Sequence, residues 1–511
     1  MGRFANLDRL TLFIYPPTMS FSPTDLRTPI ETPDRLIGRE SQLQMLAKAL
    51  ATPQGGLHVV LGGAGCGKTS LLRALRSLLL QRLSGASLPG EPWAALGPIL
   101  PVWVTLGNAT SPAELLRNIV WAFRSTAREQ LGVCQVDEDQ LKLQLDAYVG
   151  NGDLKYLDRG FREVYQVVEA GRRGLRLALL IDDIESIQAQ PWRPSLLSSL
   201  HELLLPYTPN NRSQELTLIC SGGPQFQDFL ESPDSPWKNT GWNPIPLAAW
   251  ADEQIAQTVG QSATLAGLSA DWVDAELVSK LADASGGHPY LLSAELLPGL
   301  LAAGQMGLAG AALQQALTEQ VKGLGEADFW ARWLAQLSEQ ARIVFRALLP
   351  QPADPATPTA GRPTVQVLGL TRDQVVLADP SLAKNPLATS RALKYLLYSG
   401  LVRERGDRFS PGPALWTQWF QSHAPLPLSG LLDGYKSGLA ALLAQLGPGH
   451  ARYQDALVFQ QRLTENIERS QRHGDNENWR SERSLIIEGL NSLAQETVGR
   501  SFNALTGLAS G

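Results

Sequence analysis

The sequence is poor in cysteine: only three thiols, those of Cys66, Cys134 and Cys220, occur in 511 residues. A small and odd number of cysteines excludes a disulfide framework of the kind that holds small secreted domains together, and the spacing matches no zinc-binding pattern. We therefore expect small buried thiols in a protein of the reducing cytoplasm.

Long apolar runs are also missing. The run Leu10–Tyr15 is much shorter than the ~20 apolar residues that a membrane-spanning helix requires, and no later stretch reaches that length. We expect neither a transmembrane helix nor a signal peptide. No repeat of the length used by tetratricopeptide, WD40 or leucine-rich arrays is present.

An excess of positive charge is the third feature that the chain lacks. Its formal net charge is −5, which argues against a protein that coats nucleic acid. Hydrophobic residues make up 44% of the sequence and charged residues 18%, so the chain can bury several cores. Its length predicts about three to four domains.

A glycine-rich motif is present at Gly62–Thr69, which reads GGAGCGKT and matches the phosphate-binding pattern G-x4-G-K-[ST]. It follows the apolar run Leu57–Leu61 and precedes a predicted helix over Ser70–Leu83. Glycine lets backbone N–H groups curl around phosphate oxygens, and the helix directs its positive end at the same anion. A chance glycine-rich turn is the alternative. We assign contact with a nucleoside triphosphate to Gly62, Gly63, Ala64, Gly65, Cys66, Gly67, Lys68, Thr69 and Ser70.

Two carboxylates follow a second apolar run, Leu177–Ile181. In a protein with a phosphate-binding loop, such a strand delivers a carboxylate to the Mg²⁺ shell, so Asp182 and Thr69 are the predicted metal ligands. Lys68 is predicted to reach the β- and γ-phosphates. An acidic turn that merely caps a buried strand is the alternative interpretation of Asp182 and Asp183.

Four further segments complete the pattern. A strand-like stretch, Ile99–Leu106, lies between the two motifs in the chain, and a third apolar run ends in Ser221. Serine is common in turns without any function, which is the alternative for Ser221. The box Leu36–Glu40 precedes the glycine-rich motif, and the box Gly286–Leu292, which reads GGHPYLL, follows the third run.

These motifs, in this order, resemble those of the STAND clade of AAA+-like signalling ATPases over about residues 34–423. The box Leu36–Glu40 also occurs in origin-recognition-type ATPases. The resemblance implies an α/β P-loop NTPase fold of the additional-strand class, in which helices flank a parallel sheet. It also implies ATP or ADP with Mg²⁺ as cofactors. No N-K-x-D motif occurs, which favours ATP over GTP.

The resemblance implies catalytic roles for single residues. Asp183 would polarise the attacking water, with Glu185 as the second candidate. Ser221 would sense the γ-phosphate, and Lys68 would contact the transferred phosphoryl group.

Base recognition is implied at the two flanking boxes. Gly38 and Arg39 would border the adenine, and Pro289 would pack near the base. His288, which precedes this proline, is also compatible with an ordinary exposed histidine.

Arginine is absent from Ser213 to Ala331. Ring-forming AAA+ motors place an arginine finger and a sensor arginine in the corresponding region, and such a finger contributes about 10³–10⁵ in rate. The resemblance therefore implies slow hydrolysis, which suits a switch better than a motor.

The predicted domains follow from the resemblance and, after the lid, from periodicity. After the ATPase, Leu337–Leu349 and Thr389–Ser399 have helical periodicity, and Leu401–Glu404 with Asp407–Ser410 are predicted strands around a glycine. The domains are an extended proline-rich arm at 1–33, an ATPase core at 34–248, a helical lid at 249–329, a winged helix at 330–424 and a helical C-terminal domain at 428–511.

Two functions are compatible with this organisation. The first is a cytoplasmic ATP-dependent switch in signal transduction, plausibly in bacterial defence, with a protein partner at the C-terminal domain and nucleotide-dependent homo-oligomers. The alternative is a DNA-associated, origin-recognition-like ATPase or transcription regulator that uses the winged helix. Its candidate phosphate contacts are Arg391, Lys394, Arg403, Arg405 and Arg408.

Overall fold

In the computed structural model of the protein, the described residues are 29–31, 33–51, 56–88, 92–106, 111–130, 139, 174–187, 193–204, 216–232, 235–238, 241–269, 272–324, 329–349, 369–423, 428–473 and 477–506. Most of the predicted arm and Cys134 lie outside them.

The chain divides into two units, and the division does not follow the chain order throughout. The first unit consists of Met1–Ala327, Lys394–Glu404 and Pro411–Leu415. The second unit consists of Asp328–Leu393, Arg405–Ser410 and Trp416–Gly511. Part of the predicted winged-helix segment therefore belongs to the same unit as the ATPase core.

A five-stranded parallel sheet forms the centre of the first unit, in the order β2-β3-β4-β1-β5. Most of its strands are nearly continuous runs of apolar residues, as expected for a parallel sheet that is covered on both faces. The strands are β1 (Gly56–Leu61), β2 (Ile99–Thr105), β3 (Arg176–Asp182), β4 (Leu216–Gly222) and β5 (Asn243–Pro246).

The strand order confirms the predicted fold class and refines one point of it. In the sheet, β4 separates β1 from β3, since Val59 lies opposite Cys220 and Leu179 lies opposite Leu218. The strand-like stretch that lies between the two motifs in the chain is β2, and it pairs with the other side of β3. Crossover connections allow strands that follow each other in sequence to lie apart in the sheet.

Helices cover both faces of this sheet. Side chains alternate along each strand, so that in β1 Val60 faces one cluster while Val59 and Leu61 face the other. On the Val60 side the cover includes α1 (Glu40–Ala51) and α2 (Lys68–Leu83), and on the other side it includes α3 (Pro112–Glu129), α4 (Arg193–Leu204) and α5 (Pro224–Glu231).

A group of helices follows the sheet, as predicted for the lid. Asp274 caps α7 by accepting a hydrogen bond of 2.6 Å from the Leu277 N–H, and Gly286 ends this helix with φ of +58°. The helices are α6 (Asp252–Leu265), α7 (Ala275–Ser285), α8 (Leu297–Gln305), which follows a π-helical turn at Leu291–Leu296, and α9 (Gly310–Leu324).

Aromatic side chains form the core of the first part of the second unit. Trp416 is fully buried and packs against Trp330, Trp333, Phe345 and Phe420, with ring centroids 5.5 to 6.1 Å apart. Such rings bury large apolar areas and contribute strongly to stability.

The elements after the lid are close to the predicted ones. The two predicted helices and the two predicted strands are present, with bounds shifted by one to three residues; the winged-helix domain itself stays a prediction. The elements are α10 (Phe329–Gln336), α11 (Glu339–Leu348), β6 (Leu370–Thr371), α12 (Arg372–Ala378), α13 (Pro380–Ala383), α14 (Pro386–Tyr398), β7 (Val402–Arg405), β8 (Arg408–Pro411) and α15 (Ala414–His423).

The C-terminal segment is a helical bundle with its own apolar core, to which Leu442, Leu463 and Leu490 belong. Two buried polar side chains of this bundle bond to each other: Arg483 donates to the Asn466 side-chain oxygen over 3.1 Å. The helices are α16 (Leu428–Leu446), α17 (Tyr453–His473), α18 (Glu477–Val498) and α19 (Phe502–Leu505).

Among the helices of the described ranges, none combines the length and the apolar character that a membrane crossing requires.

Candidate functional site

The candidate site lies at the carboxyl edge of the sheet, where β1, β3 and β4 end side by side. The Gly62 N–H, just after β1, donates a hydrogen bond of 3.2 Å to the Gly222 carbonyl at the end of β4. Because parallel strands end at the same edge, this arrangement brings the predicted phosphate loop next to Asp182 and Ser221.

The phosphate loop, Gly62–Thr69, connects β1 to α2. Gly65 and Gly67 have φ of +78° and +92°, a region that other residues rarely adopt. The Lys68 ammonium donates to the Gly62 and Gly63 carbonyls over 2.8 and 3.0 Å. The loop therefore has the predicted glycine-dependent conformation, with its lysine folded back onto its own backbone.

The two predicted metal ligands are in contact. The Thr69 hydroxyl donates to Asp182 Oδ2 over 2.9 Å, and Asp182 is buried. A hydroxyl and a carboxylate at this separation are the oxygen donors that Mg²⁺ prefers, so the residues present fit the ion. When bound, Mg²⁺ would neutralise charge on the phosphates.

Ser221 is bonded to both acidic residues that follow β3. Its hydroxyl donates to Asp182 Oδ1 over 2.6 Å and accepts the Asp183 N–H over 2.8 Å. Ser221 is fully buried, so in this arrangement its hydroxyl contacts the acidic pair and not the solvent. The Ser221 hydroxyl and the Thr69 hydroxyl therefore hold the two oxygens of the Asp182 carboxylate, one each.

Asp183 has a left-handed backbone conformation, with φ of +53°. Its carbonyl accepts bonds from the backbone and the hydroxyl of Ser186, over 3.0 and 2.8 Å. Asp183 is exposed, yet the protein around its carboxyl still removes part of the surrounding water, which raises the pKa of the carboxyl. The charge of Lys68 lowers this pKa, and the charge of Asp182 raises it further. A held, accessible carboxylate beside Lys68 is compatible with the predicted role of orienting a water molecule.

Glu185, the second candidate for that role, has a different environment. Burial raises the pKa of its carboxyl, while Lys68 and the bonded N–H of Gly223 lower it. Gly223 is the residue that precedes α5, so the carboxylate lies at the positive end of that helix. These contacts indicate a capping residue rather than a water-orienting one.

Arg39 is buried, and its guanidinium binds backbone carbonyls. Its guanidinium donates to the Ala248 and Cys66 carbonyls, over 2.9 and 3.1 Å. The neighbouring Gly38 carbonyl accepts a bond of 3.2 Å from the Gln254 side chain of the lid. The box Leu36–Glu40 therefore links the phosphate loop to the lid, and its predicted contact with adenine stays a prediction.

His288 is fully buried, so the interpretation of this residue as an exposed histidine is wrong. Its Nε2 lies 3.9 Å from Cys66 Sγ in the phosphate loop. The next residue, Pro289, is also buried, and Tyr290 packs against Gly65, where an added Cβ would lie 2.5 Å from the Tyr290 Cβ. The role of Pro289 near a base stays a prediction. The periodicity of the sequence gives no sign of the contacts of His288 and Tyr290.

Two further site residues come from a distant part of the chain. The Gly63 N–H donates to the Tyr398 carbonyl over 2.7 Å, and an added Cβ at Gly63 would lie 2.6 Å from Ser399 Cα. Sequence reasoning missed both residues, because no local pattern marks a carbonyl at the end of α14 as a partner of a loop more than 300 positions earlier.

Among the cations proposed to contact DNA, Lys394, Arg403 and Arg408 bind groups of the chain itself. Lys394 lies 3.7 Å from the Glu231 carboxylate. Arg403 donates to the Gly286 carbonyl over 2.7 Å, and Arg408 donates to the Gly369 carbonyl over 2.9 Å.

With this geometry established, comparisons with known proteins define the class of the domain. Residues 35–209 match the family model of the AAA ATPase domain. This part of the chain is therefore a P-loop ATPase domain of the AAA type. No curated protein matches the sequence.

The solved structures that the chain resembles include the Walker-type ATPase of Pyrococcus abyssi, at 14% identity and a TM-score of 0.50, over 78% of this chain and 99% of that one. At that identity the likeness establishes the fold alone.

Two other structures match at lower TM-scores. The Aeropyrum pernix ORC1 protein in complex with DNA matches at 15% identity and a TM-score of 0.36, over 80% of this chain and 97% of that one. A STAND protein with a tetratricopeptide repeat sensor from Pyrococcus horikoshii matches at 13% identity and a TM-score of 0.31, over 92% of this chain and 56% of that one. At these TM-scores the likenesses say nothing about function.

Ser221→Ala is expected to lower Mg²⁺-dependent ATP turnover by about 10- to 100-fold, because a hydrogen bond to a charged group contributes roughly 1.5–3 kcal/mol. Nucleotide binding without Mg²⁺ should persist. Thr217→Val is the matched control, since Thr217 is a buried residue of the same strand whose hydroxyl bonds to no described residue. Steady-state hydrolysis measures the effect, and equal turnover in the two variants would contradict a positioning role for Ser221.

Acid is expected to destabilise the first unit through two buried histidines. Burial lowers the pKa of His58 to about 4 and that of His288 to about 3, from 6.5 when unfolded. Above pH ~6.5 both histidines are neutral in the folded and the unfolded state, and the free energy of unfolding is at its full value. As the pH falls from there towards the pKa values of the folded state, this free energy falls by up to about 1.4 kcal/mol per pH unit for each histidine.

Urea unfolding at pH 7 and pH 5 measures this dependence. The double variant His58→Gln and His288→Gln should show a flatter dependence on pH than the parent. An equally steep dependence would assign the acid sensitivity to other groups.

Proposed function

We propose that this chain is an ATP-binding, slowly hydrolysing switch of the STAND type that acts in signal transduction in the cytoplasm. The observation that carries the proposal is the bond from the Gly63 N–H to the Tyr398 carbonyl. It joins the phosphate loop to a segment, Lys394–Glu404, that is far away in sequence but belongs to the same unit.

The internal bonds of the phosphate loop support two alternative arrangements. Lys68 donates to the Gly62 and Gly63 carbonyls, beside the point where Tyr398 and Ser399 meet Gly63. A triphosphate draws this ammonium towards its β- and γ-oxygens. A ligand that changes the bonds of Gly63 therefore shifts the balance between a closed and an open position of the segment.

Slow hydrolysis is supported by the partners of two guanidinium groups, those of Arg39 and Arg403. Arg39 reaches the phosphate loop, but it donates to the Cys66 and Ala248 carbonyls. Arg403 donates to the Gly286 and Ala282 carbonyls of the lid. An arginine that is bonded to backbone carbonyls is not directed at the charge that develops on the phosphoryl group. These two residues therefore do not supply the rate acceleration that an arginine finger gives.

The output of the switch is proposed to pass through the C-terminal bundle. The C-terminal bundle has an apolar core of its own, which supports a separate module that binds a protein partner. Nucleotide-dependent homo-oligomers and a role in bacterial defence belong to the same proposal.

A DNA-associated ATPase is the second candidate function. Arg391 and Arg405, two of the cations predicted to contact phosphates, are exposed, and cations on a surface can contact DNA phosphates. The bonds of Lys394, Arg403 and Arg408 within the chain favour the regulatory role over this one.

Lys68→Ala is expected to lower the affinity for Mg-ATP by about 100-fold, because charge-assisted bonds to phosphate contribute roughly 3 kcal/mol. Asp183→Asn should keep the affinity and lose turnover, and Lys280→Ala, which changes a lid lysine paired with Glu276, should alter neither. Titration with a fluorescent ATP analogue and a phosphate-release assay give the two quantities. Unchanged affinity in a folded Lys68→Ala variant would refute the proposed nucleotide site.

Binding of a slowly hydrolysed ATP analogue with Mg²⁺ is expected to increase amide hydrogen exchange in the segment Lys394–Glu404, because the triphosphate competes with the Gly63 to Tyr398 link. Hydrogen-exchange mass spectrometry of the full-length protein measures this. The Lys68→Ala variant should show no change. If the parent binds the analogue and the segment keeps its protection, the chain binds ATP but does not switch in this way.

A further inference from the structure

His288 lies where three parts of the first unit meet. These parts are the phosphate loop, the box Gly286–Leu292 of the lid, and the turn Ser399–Gly400 that follows α14. The side chain of His288 is fully buried among them. A buried polar ring in such a position is expected to be held by specific contacts.

The imidazole contacts the phosphate loop at several points. Its Nε2 lies 3.9 Å from Cys66 Sγ. The Ala64 carbonyl is close enough to raise the pKa of the imidazole. A Cβ added to Gly65 would lie 3.1 Å from His288 Cε1. Arg39 also holds the loop, since it donates to the Cys66 carbonyl.

The same ring packs against the turn after α14. A Cβ added to Gly400 would lie 2.8 Å from His288 Cδ2 and 3.6 Å from Cys66 Sγ. The Tyr398 carbonyl also accepts from the Cys66 thiol over 3.6 Å. His288 and the turn therefore enclose Cys66 together.

The lid backbone fixes the position of His288 from its own side. The Gly287 carbonyl accepts a bond of 2.8 Å from the Trp250 N–H, and the Gly286 carbonyl accepts from Arg403. These bonds hold the backbone from which the ring reaches Cys66.

Charge determines which form of the ring fits this position. Burial lowers the pKa of His288, the Ala64 carbonyl opposes the shift, and the charges of Arg39 and Lys68 lower the pKa further. An imidazolium would place a buried positive charge beside the charges of Arg39 and Lys68. The neutral ring is the form that packs here.

We infer that His288 is a positioning residue that couples the phosphate loop to the lid and to the turn Ser399–Gly400, so that the three open together. The inference rests on the nucleotide-binding function proposed above, because the coupling would set how fast a bound nucleotide leaves. Its contacts, however, exist in the chain itself and can be tested without nucleotide.

Thiol labelling of the full-length protein with Cys134→Ser tests this coupling. Cys66 reports opening at the junction, and Cys220, which is buried in β4, reports opening of the sheet. His288→Ala is expected to raise the labelling rate of Cys66 about tenfold, the factor that corresponds to one lost buried hydrogen bond, and to leave that of Cys220 unchanged. His288→Gln, which keeps an N–H donor, should restore most of the protection.

His58→Ala is the matched control, since His58 is a second buried histidine of the first unit, in β1. Any general destabilisation by its loss raises the labelling of both thiols together. The inference is overturned if His288→Ala leaves Cys66 labelling unchanged, if it raises both thiols equally, or if glutamine protects no better than alanine.

A second measurement connects the junction to nucleotide exchange. Release of a fluorescent ADP analogue should be about tenfold faster in His288→Ala than in the parent, and close to the parent in His288→Gln. If the parent binds the analogue and His288→Ala releases it at the parent rate, the inference fails while the proposed function stands. If the parent binds no nucleotide, the proposed function fails, and the thiol measurement still decides on the coupling.

Discussion

The carboxyl edge of the parallel sheet is the constraint on which the rest of the site depends. Because β4 lies between β1 and β3, one hydroxyl at the end of β4 can reach the acidic pair that follows β3. The same geometry places Thr69, at the start of α2, against the other oxygen of Asp182. If β4 did not pair with β3, Ser221 and Asp182 would end on strands that are not neighbours, and their hydrogen bond would be lost.

A second constraint is that buried polar groups need partners. In this arrangement the phosphate loop finds them within the chain: Lys68 binds loop carbonyls, Gly63 binds Tyr398, and Cys66 is held by Arg39. A triphosphate can take over part of these bonds. The loop can therefore exchange one set of partners for another, and this exchange is the physical basis of the proposed switch.

The second unit depends on packing of a different kind. Trp416 and the aromatic rings around it form a core in which shape determines the contacts, and the C-terminal bundle adds the polar pair of Asn466 and Arg483 to an apolar interior. Periodicity in the sequence predicts the helices of both parts, because an apolar stripe is a local property. It does not predict which aromatic rings meet, since these come from positions almost 90 residues apart.

The sequence by itself determined the fold class, the phosphate loop and the acidic pair, because each is set by local chemistry: glycine for positive φ, lysine for phosphate, and a carboxylate at the end of an apolar strand. Only the tertiary structure decided the partners of these groups. It placed His288 in the interior, assigned Glu185 to the start of α5 and bonded Ser221 to the acidic pair. It also brought Tyr398 to Gly63. The physical reason is that burial and hydrogen bonding between distant segments depend on strand order and chain connection, which no local pattern of residues records.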